Sequence, residues 1–158
     1  VEGSYSLITY DYSNFNHANP IALPVESNSV TKITPSKIRD VHTNGDVIYL
    51  GLEDEGCYIT SQYEIINYES SFANLEIENS DTFYHVADGY TVYNVQYNDN
   101  MLLLSCGSNG VLVYSFDEMQ APSLIAHVTS SYAYKAKVYG DKLMISTKNG
   151  IEVYYIGG

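Results

Sequence analysis

The side chains able to do chemistry are few, and their spacing limits what they could do. Three consecutive acids, Glu53, Asp54 and Glu55, stand in one short polar segment. Paired carboxylates can serve glycoside hydrolysis, one as acid and the other as base or nucleophile. The same oxygens, or those of Asn98-Asp99-Asn100, could ligate calcium, which takes several hard oxygen donors. Neither string has the D-x-D-x-D-G spacing of a calcium loop, and Asn and Asp are ordinary turn formers. The reading is therefore no cofactor, with calcium as the alternative. His17, His42, His85 and His127 form no HxH or HxxxH pair, so no metal set is spelled out. Cys57 and Cys106 form no CxxC pair. Both lie in apolar strand patterns, which favours buried free thiols and leaves one disulfide between them open. No G-x-S-x-G elbow, G-x-G-x-x-G loop or Walker loop occurs. Arg39 is the sole arginine, with Asp40 beside it and His42 three residues on. Its fork of donors suits a carboxylate across an inner strand or an anionic ligand.

Charge excludes whole classes of partner. Acidic residues outnumber basic ones 19 to 7 over 158 residues, a formal charge of -12. Nucleic-acid binders need clustered Lys and Arg, and an anionic membrane surface would repel this chain. No apolar run reaches the roughly 18 residues of a spanning helix, so membrane insertion is not expected. Tyrosine is abundant, with 17 Tyr against 4 Phe and no Trp. Tyr suits half-buried strand positions, where its ring packs and its hydroxyl reaches water. With plentiful Asn, Ser and Thr and few Lys, the profile points to a secreted, periplasmic or cell-surface protein. The start at Val1, without a leader, reads as a mature or trimmed form, or a fragment.

The elements that must position these residues come from an internal repeat. Residues 46–60 (DVIYLGLEDEGCYIT), 100–114 (NMLLLSCGSNGVLVY) and 141–154 (DKLMISTKNGIEVY) share one pattern. Each begins at a turn with Asp or Asn, runs through an apolar strand into a polar loop ending in Gly56, Gly110 or Gly150, and closes with a second strand. Asn109-Gly110 and Asn149-Gly150 reach the positive φ of tight hairpins. A further strand precedes each hairpin, at 38–46, 92–100 and 134–141, and a fourth is expected near 74–77 and 123–127. Gly-to-Gly spacings of 54 and 40 residues, with about four short strands per unit, match propeller blades. The expected class is all-β, built of four-stranded antiparallel meanders as β-propeller blades.

The segment 102–127, LLLSCGSNGVLVYSFDEMQAPSLIAH, resembles the LVIVD repeat of bacterial surface and periplasmic propellers. Residues 143–156 resemble its first half and 7–24 its second, while 47–60 is a degenerate copy. The resemblance implies a propeller and little about activity, since this fold hosts many functions.

The expected division is a remnant blade at 1–30, blades at 36–79 and 91–128, and a partial blade at 132–158. Closed propellers hold roughly four to eight blades, so further blades or a partner chain are expected to complete the ring, with a small closed four-bladed ring that shares a blade between the termini as the alternative. One face collects the loops: Glu53, Asp54 and Glu55, the long inter-blade loop 80–90, and the stretches 108–109, 130–132 and 148–149. The candidate binding residues are Arg39, His42, Glu53, Asp54, Phe83, Tyr84, His85 and Tyr90, with no catalytic residue assigned. The favoured function is a non-catalytic module mediating protein or surface interaction. A propeller-type hydrolase or lyase acting on polysaccharide is the alternative, with Asp40, His42, Glu53 and His85 as its candidates.

Overall fold

The computed structural model describes residues 5–10, 29–61, 75–76, 84–117 and 120–156. All regular elements there are strands. The first seven are β1 (Tyr5–Tyr10), β2 (Ser29–Thr34), β3 (Ile38–Asn44), β4 (Val47–Leu52), β5 (Gly56–Ser61), β6 (Leu75–Glu76) and β7 (Tyr84–Val86). The rest are β8 (Asn94–Asn98), β9 (Met101–Ser105), β10 (Val111–Ser115), β11 (Ser123–Val128), β12 (Ala133–Tyr139), β13 (Lys142–Thr147) and β14 (Gly150–Tyr155).

The strands form four small sheets, ordered β1-β2-β6, β3-β4-β5-β7, β8-β9-β10-β11 and β12-β13-β14. The last three are wholly antiparallel. The all-β expectation stands, and the repeating hairpins are β4-β5, β9-β10 and β13-β14. Gly56 (φ 71°) and Gly110 (φ 75°) leave their tips in the left-handed region that L side chains avoid. A Cβ on either would also lie within 2.2 Å of a backbone oxygen, Val86 O and Val128 O respectively.

Two expectations are corrected. The strand near residues 74–77 does not close the second sheet: Leu75–Glu76 pairs in parallel with β2. The fourth place beside β5 belongs to β7, with Tyr58 opposite His85. His85 is thus a strand residue and not part of an inter-blade loop. In the first sheet β2 runs from Ser29 to Thr34. His17, Phe83 and residues 80–82 of the expected loop lie outside the described residues.

Period-two alternation gives the second, third and fourth sheets two faces each. Cross-strand pairs Leu50–Tyr58, Leu104–Leu112 and Ile145–Glu152 mark one face at successive sheets. Tyr49–Ile59, Leu103–Val113 and Met144–Val153 mark the other. Tyr49, Cys57 and Ile59 of the second sheet pack in one cluster with Leu102, Leu104 and Leu112 of the third. Leu103, Val111 and Val113 of the third pack with Ala136, Leu143 and Ile145 of the fourth. The second and third sheets therefore lay the same face on their successors. Backbone bonds bind neighbours: Val92 N–H donates to Leu52 O (3.0 Å), and Gly107 and Ala133 exchange bonds of 3.0 and 2.9 Å. Cys57 and Cys106 are free thiols buried in the first of these clusters. Burial pushes both thiols up, Cys106 to about 12.

Candidate functional site

The registers bring one set of turns to one end of the sheets. Leu52 pairs with both Ile38 and Gly56, Ser105 with both Asn94 and Val111, and Thr147 with both Ala133 and Gly150. So the hairpin tips 53–55, 106–110 and 148–149 share an end with the starts of the first strands β3, β8 and β12. The links 87–93 and 129–132, which lead into β8 and β12, cross that same end.

The tip 53–55 is held from several sides. Glu53 N–H donates to Lys37 O at 3.0 Å. Asp54, at φ 59°, donates its N–H to Thr91 Oγ1 (3.0 Å), and the Thr91 hydroxyl donates to Asp54 Oδ1 (2.9 Å). Gly56 N–H donates to Tyr90 O at 2.8 Å. Asp54 and Tyr90 thus help to fix the tip. Asp54 tolerates the left-handed conformation because its short polar side chain bonds locally.

Arg39 starts a ladder that crosses three sheets. Its Nη2 donates to Glu53 Oε1 at 2.9 Å, an ion pair with both side chains about one-third exposed. That bond raises the guanidinium's hold on its proton. The guanidinium carbon also lies 5.7 Å from the centre of the Tyr93 ring, within cation–π reach. Tyr93 stands 5.8 Å from Tyr132, and Tyr132 stands 5.4 Å from Tyr134. The hydrogen bond to Tyr132 holds the Tyr93 hydroxyl above the usual phenol range. The rings pass over Gly107, where a Cβ would come within 2.8 Å of Tyr132 Cζ and 2.9 Å of Tyr93 Cε2. Beyond Tyr132, Ser131 donates from backbone and hydroxyl to Glu152 Oε2, and Tyr154 donates to Glu152 Oε1 at 2.6 Å. These donors hold the Glu152 carboxyl below the usual carboxylate range.

The other candidates are dispersed. His42 faces Tyr49, ring centres 5.9 Å apart, nearer the opposite end of β3. Tyr84 packs against Phe116 at 5.9 Å and borders the core cluster. Asp40 is engaged between sheets: its Oδ2 accepts from Val95 N–H (2.8 Å) and Asn94 Nδ2 (3.1 Å). His85 sets Nε2 2.5 Å from Glu55 O and packs edge-on against Tyr58 at 4.4 Å. Glu55, His85 and Asp88 offer ligand atoms within 4.8 Å of one another, the described set able to hold a metal. His127 repeats the backbone contact at Asn109 O, at 2.6 Å, in the next sheet. Its recurrence makes this contact a clasp between outer strand and hairpin tip.

With this geometry in hand, a solved structure can be set beside it. The chain is similar in fold to the crystal structure of the computationally designed Ika4 protein. The TM-score is 0.55 at 13% identity, over 77% of this chain and 68% of that one. At that identity the likeness concerns the fold alone. A scan of protein-family models and a search of curated proteins returned no match.

Sequence reasoning singled out Arg39 and Glu53 and placed the tips on one face. It missed Tyr93, Tyr134 and Thr91. The signal for the tyrosines was their place at the start of β8 and β12, aligned with Arg39 at the start of β3.

Proposed function

We propose that the chain is a non-catalytic binding module of the β-propeller kind, working at the cell surface, in the periplasm or secreted. Its partner is a protein, engaged by the end of the sheets that carries the hairpin tips. Successive antiparallel sheets laid face on face, the spacings between Gly56, Gly110 and Gly150, and the LVIVD-like repeat support the propeller reading. The observation that carries the functional reading is the ladder Glu53–Arg39–Tyr93–Tyr132–Tyr134.

Arg and Tyr, with Trp, are the side chains most enriched at protein hot spots. Tyr rings supply large contact area at small entropic cost, and here each is braced by its neighbour before any partner arrives. Arg39 is pre-oriented by Glu53 and still has donors to offer. Immobilised chain should capture its partner from an envelope or secreted fraction of the source organism. The Arg39→Ala/Tyr132→Ala variant should lose that partner, while Asn44→Ala/Asn98→Ala, at the opposite turns, should keep it. Equal capture by the first variant would sink the reading.

A further inference from the structure

The fourth sheet repeats the third in sequence and register, yet among the described residues nothing is packed on one of its faces. Leu103 and Met144 hold equivalent places, as do Val111 and Ile151, and Val113 and Val153. Leu103, Val111 and Val113 are 4%, 0% and 3% exposed beneath the fourth sheet, whereas Met144, Ile151 and Val153 are 38%, 75% and 51% exposed. Tyr139 and Tyr155, on the same face, are 75% and 76% exposed. In the second and third sheets these positions are covered by the next sheet. A contiguous apolar face of this kind marks a docking surface.

The charge pattern selects what covers it. Lys135, Lys137 and Lys142 pair across the strands with Ser146, Met144 and Tyr139, which puts them among the apolar side chains. Lys142 Nζ lies 5.4 Å from the Tyr155 ring. The rest of the chain is strongly acidic: 14 of its 19 acidic residues precede Thr91, against three of its seven basic ones. The basic, apolar face is therefore complementary in charge to the first half of the same polypeptide. Two such faces meeting each other would set lysine against lysine.

We propose that this face binds a second copy of the chain head to tail, the β12-β13-β14 face of one copy taking the acid-rich first half of the next. Two copies bring eight of the described sheets, within the roughly four to eight blades of closed propellers, so a two-membered ring is the expected product. The β12-β13-β14 face is a different surface from the ladder of the tip face, and the inference stands or falls separately.

Sedimentation velocity over about a hundredfold range of concentration tests it, because heterologous association is governed by mass action. Wild type should pass from monomer to dimer, at least tenfold less tightly in high salt, where exposed charges are screened. Ile151→Asp/Val153→Asp changes exposed positions, so it should keep the wild-type circular dichroism and melt yet remain monomeric. Lys135→Glu/Lys137→Glu should weaken association at least tenfold and serves if the first variant does not fold. Tagged Ile151→Asp/Val153→Asp chain still offers its acidic half, so it should bind wild type through one interface. Arg39→Ala/Tyr132→Ala should dimerise normally. A wild type monomeric at every concentration, association that survives both face variants, or a tagged variant that binds no wild type would each overturn the proposal.

Discussion

His85 on β7 and His127 on β11 make the same contact one sheet apart. Each sets Nε2 within 2.6 Å of the carbonyl oxygen that precedes a tip glycine, Glu55 O in one sheet and Asn109 O in the next. Each is followed by a valine whose carbonyl closes over that glycine. The outer strand is thereby clasped to the hairpin end.

The clasp is measurable. A net hydrogen bond contributes about 1 kcal/mol, so His85→Ala and His127→Ala should each lower urea-derived stability by about that much. The two sites lie in different sheets and contact different backbone oxygens, so the double variant should show the sum. A change below a few tenths of a kcal/mol at both positions would show that the contact adds nothing.

Arg39 and Glu53 should contribute little to stability. Their pair is one-third exposed, and such pairs are worth about 0.2–1 kcal/mol. A double-mutant cycle on Arg39→Ala and Glu53→Ala should return a coupling in that range, smaller in high salt. Arg39→Lys should keep stability and lose partner binding, since a lysine cannot reproduce the planar fork over Tyr93.

Gly107 is required by close approach. Gly107→Ala places a methyl within 2.9 Å of both Tyr93 and Tyr132, so the rings must move apart. The variant should lose about 1–3 kcal/mol of stability and weaken partner binding as well. Unchanged binding would remove Tyr93 and Tyr132 from the recognition surface.

The buried thiols give a pH dependence of defined sign. Burial raises Cys106 from 9.0 to about 12 and moves Cys57 in the same direction. The folded chain keeps these protons where the unfolded chain releases them. This contribution is fully present below pH 9 and is lost as pH rises from 9 toward about 12. Urea midpoints should fall across that window, and Cys106→Ala should flatten the fall. Both thiols should also resist alkylation at neutral pH until the chain unfolds.

The hairpins were legible because their determinants are local. Apolar runs of strand length, polar tips and a glycine at each end specify β4-β5, β9-β10 and β13-β14 without reference to the rest of the chain. The fourth strand of the second sheet was not. β7 has only three residues, and its pairing with β5 spans a long intervening segment. The Arg39–Glu53 pair depends on a register shift between Ile38 and Asp40, which alternation counting does not reveal. The bare face of β14 was hidden for a different reason. Ile151 and Val153 look like core residues, and only the absence of a described sheet beyond them sets them apart from Val111 and Val113.

The central claim is that a partner is read by the tyrosines of the tip face. Tyrosine-selective isotope labelling, with resonances assigned by single Tyr→Phe changes, tests it residue by residue. On adding the captured partner, the signals of Tyr93, Tyr132 and Tyr134 should shift while those of buried Tyr49 and Tyr58 stay in place. Shifts confined to Tyr139 and Tyr155, or no shift in the first three, would contradict the account.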